Sequence, residues 1–136
     1  MSECIDDYAR VGNRYGRHLR IVLEDAVPVS WNKLLRQNHW RVTEASDAIR
    51  LEVVAALHEL AGYPEPFSRP VHIIIVSYKR ARPIDADNIM AKLYIDALRG
   101  AGLLVDDDPA HLAGVTTISR VDRDYPRIEI DIQEVA

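Results

Sequence analysis

The sequence has little of several features that would place it in a specialised class of protein. It contains a single cysteine, Cys4, among 136 residues, so no disulfide can form within one chain and we expect a reducing, cytoplasmic setting. No apolar segment approaches the roughly 20 residues that span a bilayer. Asp6 and Asp7 stand where a secretory signal would be basic and then apolar. These absences argue against a disulfide-stabilised secreted protein, and we expect no membrane partner.

The length and the charge distribution narrow the possibilities further. The chain is long enough for one domain with a hydrophobic core and too short for two. Its formal net charge of −4 argues mildly against nucleic-acid binding. Residues 1–80 contain 11 Lys and Arg against 10 Asp and Glu, whereas residues 81–136 contain 6 against 11. The acidity therefore belongs to the C-terminal half, where a bound divalent cation would offset much of it.

Hydrophobic periodicity predicts one α+β domain, of mixed α/β type, over residues 18–136, preceded by an N-terminal arm at residues 1–17. We expect the order β-α-β-α-β-β, a mixed sheet and two main helices. The strands are predicted at 18–27, 71–78, 115–121 and 127–132. The helices are predicted from Thr43 to Gly62 and from about Asp87 to Ala101, with a loop at 28–42. In the last strand we expect Glu129 and Asp131 to face solvent.

Aspartates collect at both ends of the second predicted helix. Asp85 and Asp87 precede it, and Asp106, Asp107 and Asp108 follow it. Such a concentration of negative charge costs stability unless a cation lies within it. Carboxylates are the ligands that Mg²⁺ prefers, and a helix N-terminus beside them would favour a phosphate. We therefore expect a magnesium site if the later aspartates fold back on the earlier pair.

Ordinary structural roles can explain the same aspartates. An aspartate directly before a helix is most often an N-cap, and aspartates that follow a glycine are most often in solvated turns. A calcium loop that starts at Asp85 does not fit, because its fifth and sixth positions would be Ile89 and Met90 instead of an oxygen ligand and a glycine. The pattern alone leaves both a structural role and metal chemistry open.

The segment RPIDADNIMAKLYIDALRGAGLLVDDD, residues 82–108, resembles the centre of the RusA family of Holliday-junction resolvases. The shared pattern is a basic run, D-x-D-N, a helix with D-A-L near its end, and A-G followed by paired aspartates. The similarity covers about residues 19–133 and includes P-x-S-x-N at Pro28, Ser30 and Asn32 and the ending YPRIEIDI. It implies a small, homodimeric endodeoxyribonuclease of bacteria or their phages. Such an enzyme depends on Mg²⁺, with Mn²⁺ as an alternative, and resolves four-way DNA junctions by paired nicks.

The resemblance also implies roles for single residues. Asp85, Asp87 and Asp107 would be the catalytic carboxylates that hold the metal. Family members often carry an important lysine four residues after the second aspartate, and this position is Ala91 here. Either Lys92, the next residue, takes over that catalytic role, or the role is lost in this chain. Asp106 or Asp108 would support the metal ligands without binding the ion directly.

Basic residues near the aspartates are candidates for contacts with DNA phosphates. The predicted DNA-binding set combines the run before the aspartates with residues of the 28–42 loop, namely Lys79, Arg80, Arg82, Lys33, Arg36, Arg41 and Asn32. A solvated strand end is the structural alternative for the basic run. Trp31 and Trp40 are either base-stacking residues or core anchors.

Two other functions use the same residues. A relative that has lost activity would bind junctions without cutting them, and the departure at Ala91 is compatible with it. A metal-dependent nucleotide hydrolase would use the same aspartates, but it would need a closed pocket for a base.

Overall fold

The structure is a computed structural model that describes residues 16–24, 26, 30 and 39–135. Its strands are β1 (His18–Glu24), β2 (Val71–Lys79), β3 (Leu112–Val121) and β4 (Arg127–Glu134). Its helices are α1 (His39–His58) and α2 (Ala91–Gly100), and a short 3-10 turn (Ala86–Asn88) precedes α2. Among the described residues, no helix has the length and apolar composition that crossing a bilayer requires. The predicted order β-α-β-α-β-β and the α+β class are confirmed.

The four strands form one mixed sheet in the order β1-β4-β2-β3. β4 lies antiparallel to both β1 and β2, and β2 lies parallel to β3. β2 is the strand with the nearly unbroken β-branched sequence, and a central position buries such a strand on both faces. The chain reaches β3 from β2 through the aspartate turn and α2, so this crossover carries most of the candidate site.

The main core lies between one face of the sheet and the two helices. α1 contributes Ile49, Val53 and Leu57, which recur at helical spacing and are buried. α2 contributes an apolar stripe, and the strands contribute alternate isoleucines; together these buried residues include Leu93, Tyr94, Leu98, Ile21, Ile73, Ile75, Ile130 and Ile132. A smaller apolar cluster of Ile74, Val76, Tyr78 and Ile118 lies on the opposite face.

Several predicted element boundaries differ from the structure by a few residues, and the starts of both helices are among them. α1 begins at His39 instead of Thr43, so residues 39–42, predicted as part of a loop, are helical. The sequence has no glycine or proline between Pro28 and Gly62, and nothing therefore stops the helix from starting earlier. α2 begins at Ala91 because the residues before it form the 3-10 turn.

The expected exposure of Glu129 and Asp131 is wrong. Both side chains are buried on the face of the sheet that lies opposite the two helices. β4 is a central strand, so its second face is covered by side chains from neighbouring strands. Arg20 pairs with Asp131 at 2.8 Å, and Arg127 pairs with Glu129 at 2.8 Å. A buried carboxylate is tolerated here because the sheet supplies its partner.

Candidate metal and nucleic-acid site

Asp85 and Asp87 lie at the turn that leads into α2. Asp85 has an extended backbone directly before the 3-10 turn, and Asp87 is inside it. Both residues are exposed. Among the described residues, none forms an ion pair or a side-chain hydrogen bond with either carboxylate. The pair therefore presents two exposed carboxylates, one residue apart, that have no partner among the residues that the structure describes.

The structure does not support the interpretation of Asp87 as the N-cap of α2. The N-cap position is Met90, and no side chain there accepts a hydrogen bond from the first turn. The helix instead starts after a short extended stretch, since Ile89 has φ −76° and ψ 126°. Asp87 is thus not needed to begin α2, and its carboxylate is available for another role.

Two separate parts of the chain hold the turn in place. The hydroxyl of Thr117, on β3, donates to the carbonyl of Ala86 at 2.7 Å. The side-chain amide of Asn88 donates to the hydroxyl of Ser30 at 2.8 Å, and Ser30 also forms an isolated antiparallel bridge with Ile89. Asn88 belongs to the D-x-D-N segment and Ser30 to the P-x-S-x-N segment. Two motifs that are 58 residues apart in the chain are therefore in contact.

The basic run lies directly before the aspartate turn. Lys79 is the last residue of β2, and Arg80 and Arg82 follow it with exposed side chains. Arg80 donates to the carbonyl of Arg123 at 3.4 Å, and Arg82 has a positive φ of 53°. In the described part of the chain, no carboxylate pairs with these three cations. Their contact with a phosphate backbone stays a prediction.

Asp107 lies at the other end of α2. The ten residues of α2 extend for about 15 Å at 1.5 Å per residue. The helix ends in a Schellman motif, in which Leu103 donates to the carbonyl of Leu98 at 3.0 Å and Gly102 takes a positive φ of 85°. The aspartates at 106–108 follow that end, so the helix separates them from the pair at 85 and 87.

The later aspartates already have partners of their own. Arg99 lies 3.6 Å from Asp107 and 3.7 Å from Asp106, measured from guanidinium nitrogen to carboxylate oxygen. The backbone N–H of Asp107 donates to Asp106 at 2.8 Å, and this bond, assisted by Arg99, lowers the pKa of Asp106. His111 contacts the carboxylate of Asp108 at 2.6 Å. Each of these three carboxylates therefore has a basic side chain of the same chain within 3.7 Å.

The three predicted metal ligands therefore do not converge within one chain. Across residues 16–24, 26, 30 and 39–135, no group of three or more His, Cys, Asp or Glu side chains lies close enough together to hold a metal ion. Asp85 and Asp87 are near each other in the turn, and Asp107 is the member that lies elsewhere. The metal-binding roles of all three stay predictions.

Lys92 lies on the exposed side of α2. Its ammonium group is 3.5 Å from the carboxylate of Asp96, one turn further along the helix, and Arg99 approaches Asp96 at 3.7 Å. Lys92 thus begins a row of alternating charges that runs toward the C-terminal end of α2 and not toward the aspartate turn. Its catalytic role stays a prediction.

The remaining predicted DNA contacts lie outside what the structure describes. Asn32, Lys33 and Arg36 precede the described part of α1. Arg41 and Trp40 are in the first turn of α1, but their side chains are not described. Thr117 is the residue that sequence reasoning missed. Its only signal is a hydroxyl at an inward position of a predicted strand, where an apolar residue is usual.

Comparisons with known proteins add no family to these observations. No protein-family model matches the sequence, and no curated protein is significantly similar to it. The similarity to RusA-type resolvases therefore rests on the motif residues and their spacing.

Proposed function

We propose that the protein is a Mg²⁺-dependent endodeoxyribonuclease that resolves four-way DNA junctions by paired nicks, acting as a homodimer in a bacterial cytoplasm. The observation that carries the proposal is the contact between Asn88 and Ser30 at 2.8 Å. This contact joins the D-x-D-N and P-x-S-x-N segments of the resemblance, which are far apart in the sequence, and it lies beside the exposed aspartates.

The residues at the turn fit a magnesium ion. Mg²⁺ is usually held by one or two carboxylates together with waters and phosphate oxygens. Asp85 and Asp87 supply two exposed carboxylates, and no cation of the described chain competes for them. The ion, when bound, supplies activation of water and stabilisation of negative charge on the leaving oxygen. Mn²⁺ has the same preference for oxygen ligands and can replace it.

The basic run supports binding of a nucleic-acid backbone at the same place. Lys79, Arg80 and Arg82 come immediately before Asp85 in the chain. Contacts to phosphates position a nucleic acid without reading its sequence. A strip of cations next to the carboxylates would hold the phosphodiester in reach of the ion, and it would give binding a steep dependence on salt.

The test is the variant Asp87→Asn, assayed on a synthetic four-way junction. We expect it to fold and to bind the junction as the wild type does, because the amide keeps the shape of the side chain. Nicking in Mg²⁺ should fall by at least about 100-fold, since loss of a residue that merely supports a metal ligand already costs about 10–100-fold. Asp47→Asn is the matched control, because Asp47 is an exposed aspartate on α1, away from the turn, that pairs with Arg50 at 3.4 Å. Wild-type nicking by Asp87→Asn would refute the assignment of Asp87.

A second candidate function is binding of junctions without cleavage. The position of Asp107 beside Arg99, together with alanine at the family's lysine position, favours this candidate. It predicts tight, salt-dependent binding by the wild type and no nicked product with either Mg²⁺ or Mn²⁺. The junction assay therefore separates the two functions without any variant.

A further inference from the structure

The outer edge of β1 borders a groove that is separate from the candidate metal site. In the described part of the chain, β1 has β4 as its neighbour on one side and no strand on the other. Helix α1 packs against β1, and residues of both elements line a groove of about 480 Å³. This volume is within the range of ligand sites. None of the lining residues belongs to the aspartate turn or to the basic run.

The backbone of β1 directs hydrogen-bonding groups away from the sheet along this groove. In an antiparallel pair, alternate residues bond to the neighbouring strand and the residues between them point outward. Glu134 on β4 donates to the carbonyl of Arg17 at 2.9 Å, so every second residue after Arg17 bonds to β4. Val22 and Glu24 belong to the other set, and both line the groove. No described residue bonds to their outward N–H and C=O groups.

The floor of the groove is apolar. Ile21 and Leu23 of β1 lie beside Ala55 and Ala56 of α1 and beside Leu60, just after the helix. An alanine side chain is a single methyl group, so the helix leaves room for another chain next to β1. An extended strand at this edge would direct every second side chain toward α1.

The helix side of the groove is acidic. Four charged residues line the groove, namely Arg20, Glu24, Glu52 and Glu59. Arg20 is already paired with carboxylates of β4, and the hydroxyl of Tyr125 donates to Glu24 at 2.9 Å. Glu52 and Glu59 have no cation among the described residues, and partial burial raises the pKa of Glu52. The groove therefore favours a basic ligand and repels a nucleic-acid backbone.

We propose that this groove binds an extended, basic segment of a partner protein, which adds to β1 as a further strand and places its basic side chains against Glu52 and Glu59. Strand addition at an open sheet edge is a recurring mode of peptide recognition, in which main-chain hydrogen bonds give affinity and alternate side chains give specificity. This function is additional to the proposed nuclease activity and uses a different part of the molecule.

The spacing of the two glutamates predicts the pattern of the segment. Glu52 and Glu59 are seven positions apart on α1, which is about 10.5 Å along the helix axis. Residues four positions apart on a strand point to the same face and lie about 13 Å apart. The long side chains of lysine and arginine span the difference. We therefore expect two basic residues four positions apart, with an apolar residue midway that packs against Ala56.

Binding of a synthetic peptide to the full-length protein tests the proposal. The probe is a fluorescent seven-residue peptide with lysine at its second and sixth positions, valine at its fourth and threonine elsewhere. The comparison peptide carries glutamate in place of both lysines. We expect the lysine peptide to bind with a dissociation constant below about 1 mM and the glutamate peptide to bind at least about tenfold more weakly.

Two results of this titration would overturn the proposal. One is equal binding of the two peptides, since the glutamates would then have no part in recognition. The other is no saturable binding of the lysine peptide, which is also the result if another segment of this chain or a second copy fills the groove.

Variants separate the charge contacts from the strand addition. Glu52→Gln combined with Glu59→Gln should weaken binding of the lysine peptide by about fivefold, because two exposed ion pairs are lost. Asp47→Asn, on the same helix but outside the groove, is the matched control and should bind as the wild type does. Val22→Pro removes one outward N–H, which an edge strand tolerates, and should weaken binding by about tenfold. Val22→Thr keeps that N–H and controls for the change of side chain.

Hydrogen exchange in the wild type tests the strand addition without any variant. The lysine peptide should slow exchange at the N–H groups of Val22 and Glu24 and leave that of Leu23 unchanged, because Leu23 already bonds to β4. Equal slowing at all three residues, or slowing at none, would overturn the proposal. These measurements involve neither DNA nor cleavage, so the peptide groove and the proposed function can fail separately.

Discussion

Two groups of carboxylates in this molecule lie in opposite surroundings. Glu129 and Asp131, on β4, are 6% and 3% exposed. Glu129 has Arg127 at 2.8 Å and Arg20 at 3.7 Å, and Asp131 has Arg20 and a histidine of β1, each at 2.8 Å. The carboxylates at positions 85 and 87 are exposed, and no residue of the described chain pairs with them.

The difference shows which carboxylates have a structural role. Burial of an unpaired charge is costly, so a structural carboxylate needs its cation inside the protein. Glu129 and Asp131 each have such a cation, Arg127 and Arg20 respectively. Asp85 and Asp87 carry like charges on the same turn, and no cation of the described residues pairs with either of them. They are suited to a cation that comes from solution, and this contrast is the physical basis of the proposed metal site.

The largest expected effect comes from removing the cation of the buried group. Arg127 donates to Glu129 and to Asp122 at 2.8 and 2.9 Å, and its guanidinium lies 3.8 Å from the ring centre of Tyr78. Arg127→Met should lower the free energy of unfolding by about 3–5 kcal/mol, because Glu129 is left buried with only a distant partner. Urea unfolding of the purified protein measures this change.

A double variant sharpens the same prediction. Arg127→Met combined with Glu129→Leu removes both charges together and should recover much of the lost stability, since replacing a buried ion pair by apolar residues is often close to neutral. If the double variant is less stable than Arg127→Met alone, Glu129 does not depend on Arg127 for its charge.

Magnesium should stabilise the folded protein through the exposed pair, Asp85 and Asp87, and not through the buried carboxylates. An ion that binds only the folded protein adds about 2.7 kcal/mol to its stability at a concentration 100 times its dissociation constant. We expect Mg²⁺ to raise the midpoint of thermal unfolding of the wild type, and this gain should vanish in the double variant Asp85→Asn, Asp87→Asn. Potassium chloride at equal ionic strength controls for screening. An equal gain in the double variant would place the magnesium somewhere else.

Lowering the pH should cause a smaller loss of stability, and it acts through Asp122, which accepts a hydrogen bond from Arg127 beside the buried carboxylates. The hydrogen bond from Arg127 holds the pKa of Asp122 below its usual value. The folded protein therefore binds fewer protons than the unfolded chain, so this stabilisation is complete above the unfolded pKa and is lost as the pH falls through the folded one.

The variant Asp122→Asn tests that sign. It should be less stable than the wild type at neutral pH, and the two should approach each other in stability as the pH falls below the folded pKa of Asp122. Chemical unfolding at a series of pH values measures the difference. A gap that widens toward acid pH would contradict the direction of the shift.

The fold could be predicted from the sequence because its patterns are strong and local. The β-branched run of β2 and the apolar stripe of α2 each favour one structure. The position of Glu129 could not be predicted, because alternation of polar and apolar residues looks the same whether the polar face meets water or arginines. The contact between Asn88 and Ser30 depends on tertiary structure, and sequence gives only the motifs, not their proximity.

The position of Asp107 shows the same limit. The sequence places it one helix away from Asp85, and whether that helix folds back on the pair depends on packing. The Schellman turn at Gly102 instead directs the chain to the base of β3. Periodicity predicts where a helix runs, but it does not predict which charged groups lie together after the helix ends.

The most direct test of the account is an assay of the wild-type protein on an end-labelled four-way junction. We predict paired nicks in opposing strands with Mg²⁺ and no product when the ion is chelated or when a linear duplex of the same sequence is used. Failure to cut the junction with Mg²⁺ or Mn²⁺, or equal cutting of the linear duplex, would contradict the proposal that Asp85 and Asp87 serve a junction-selective nuclease.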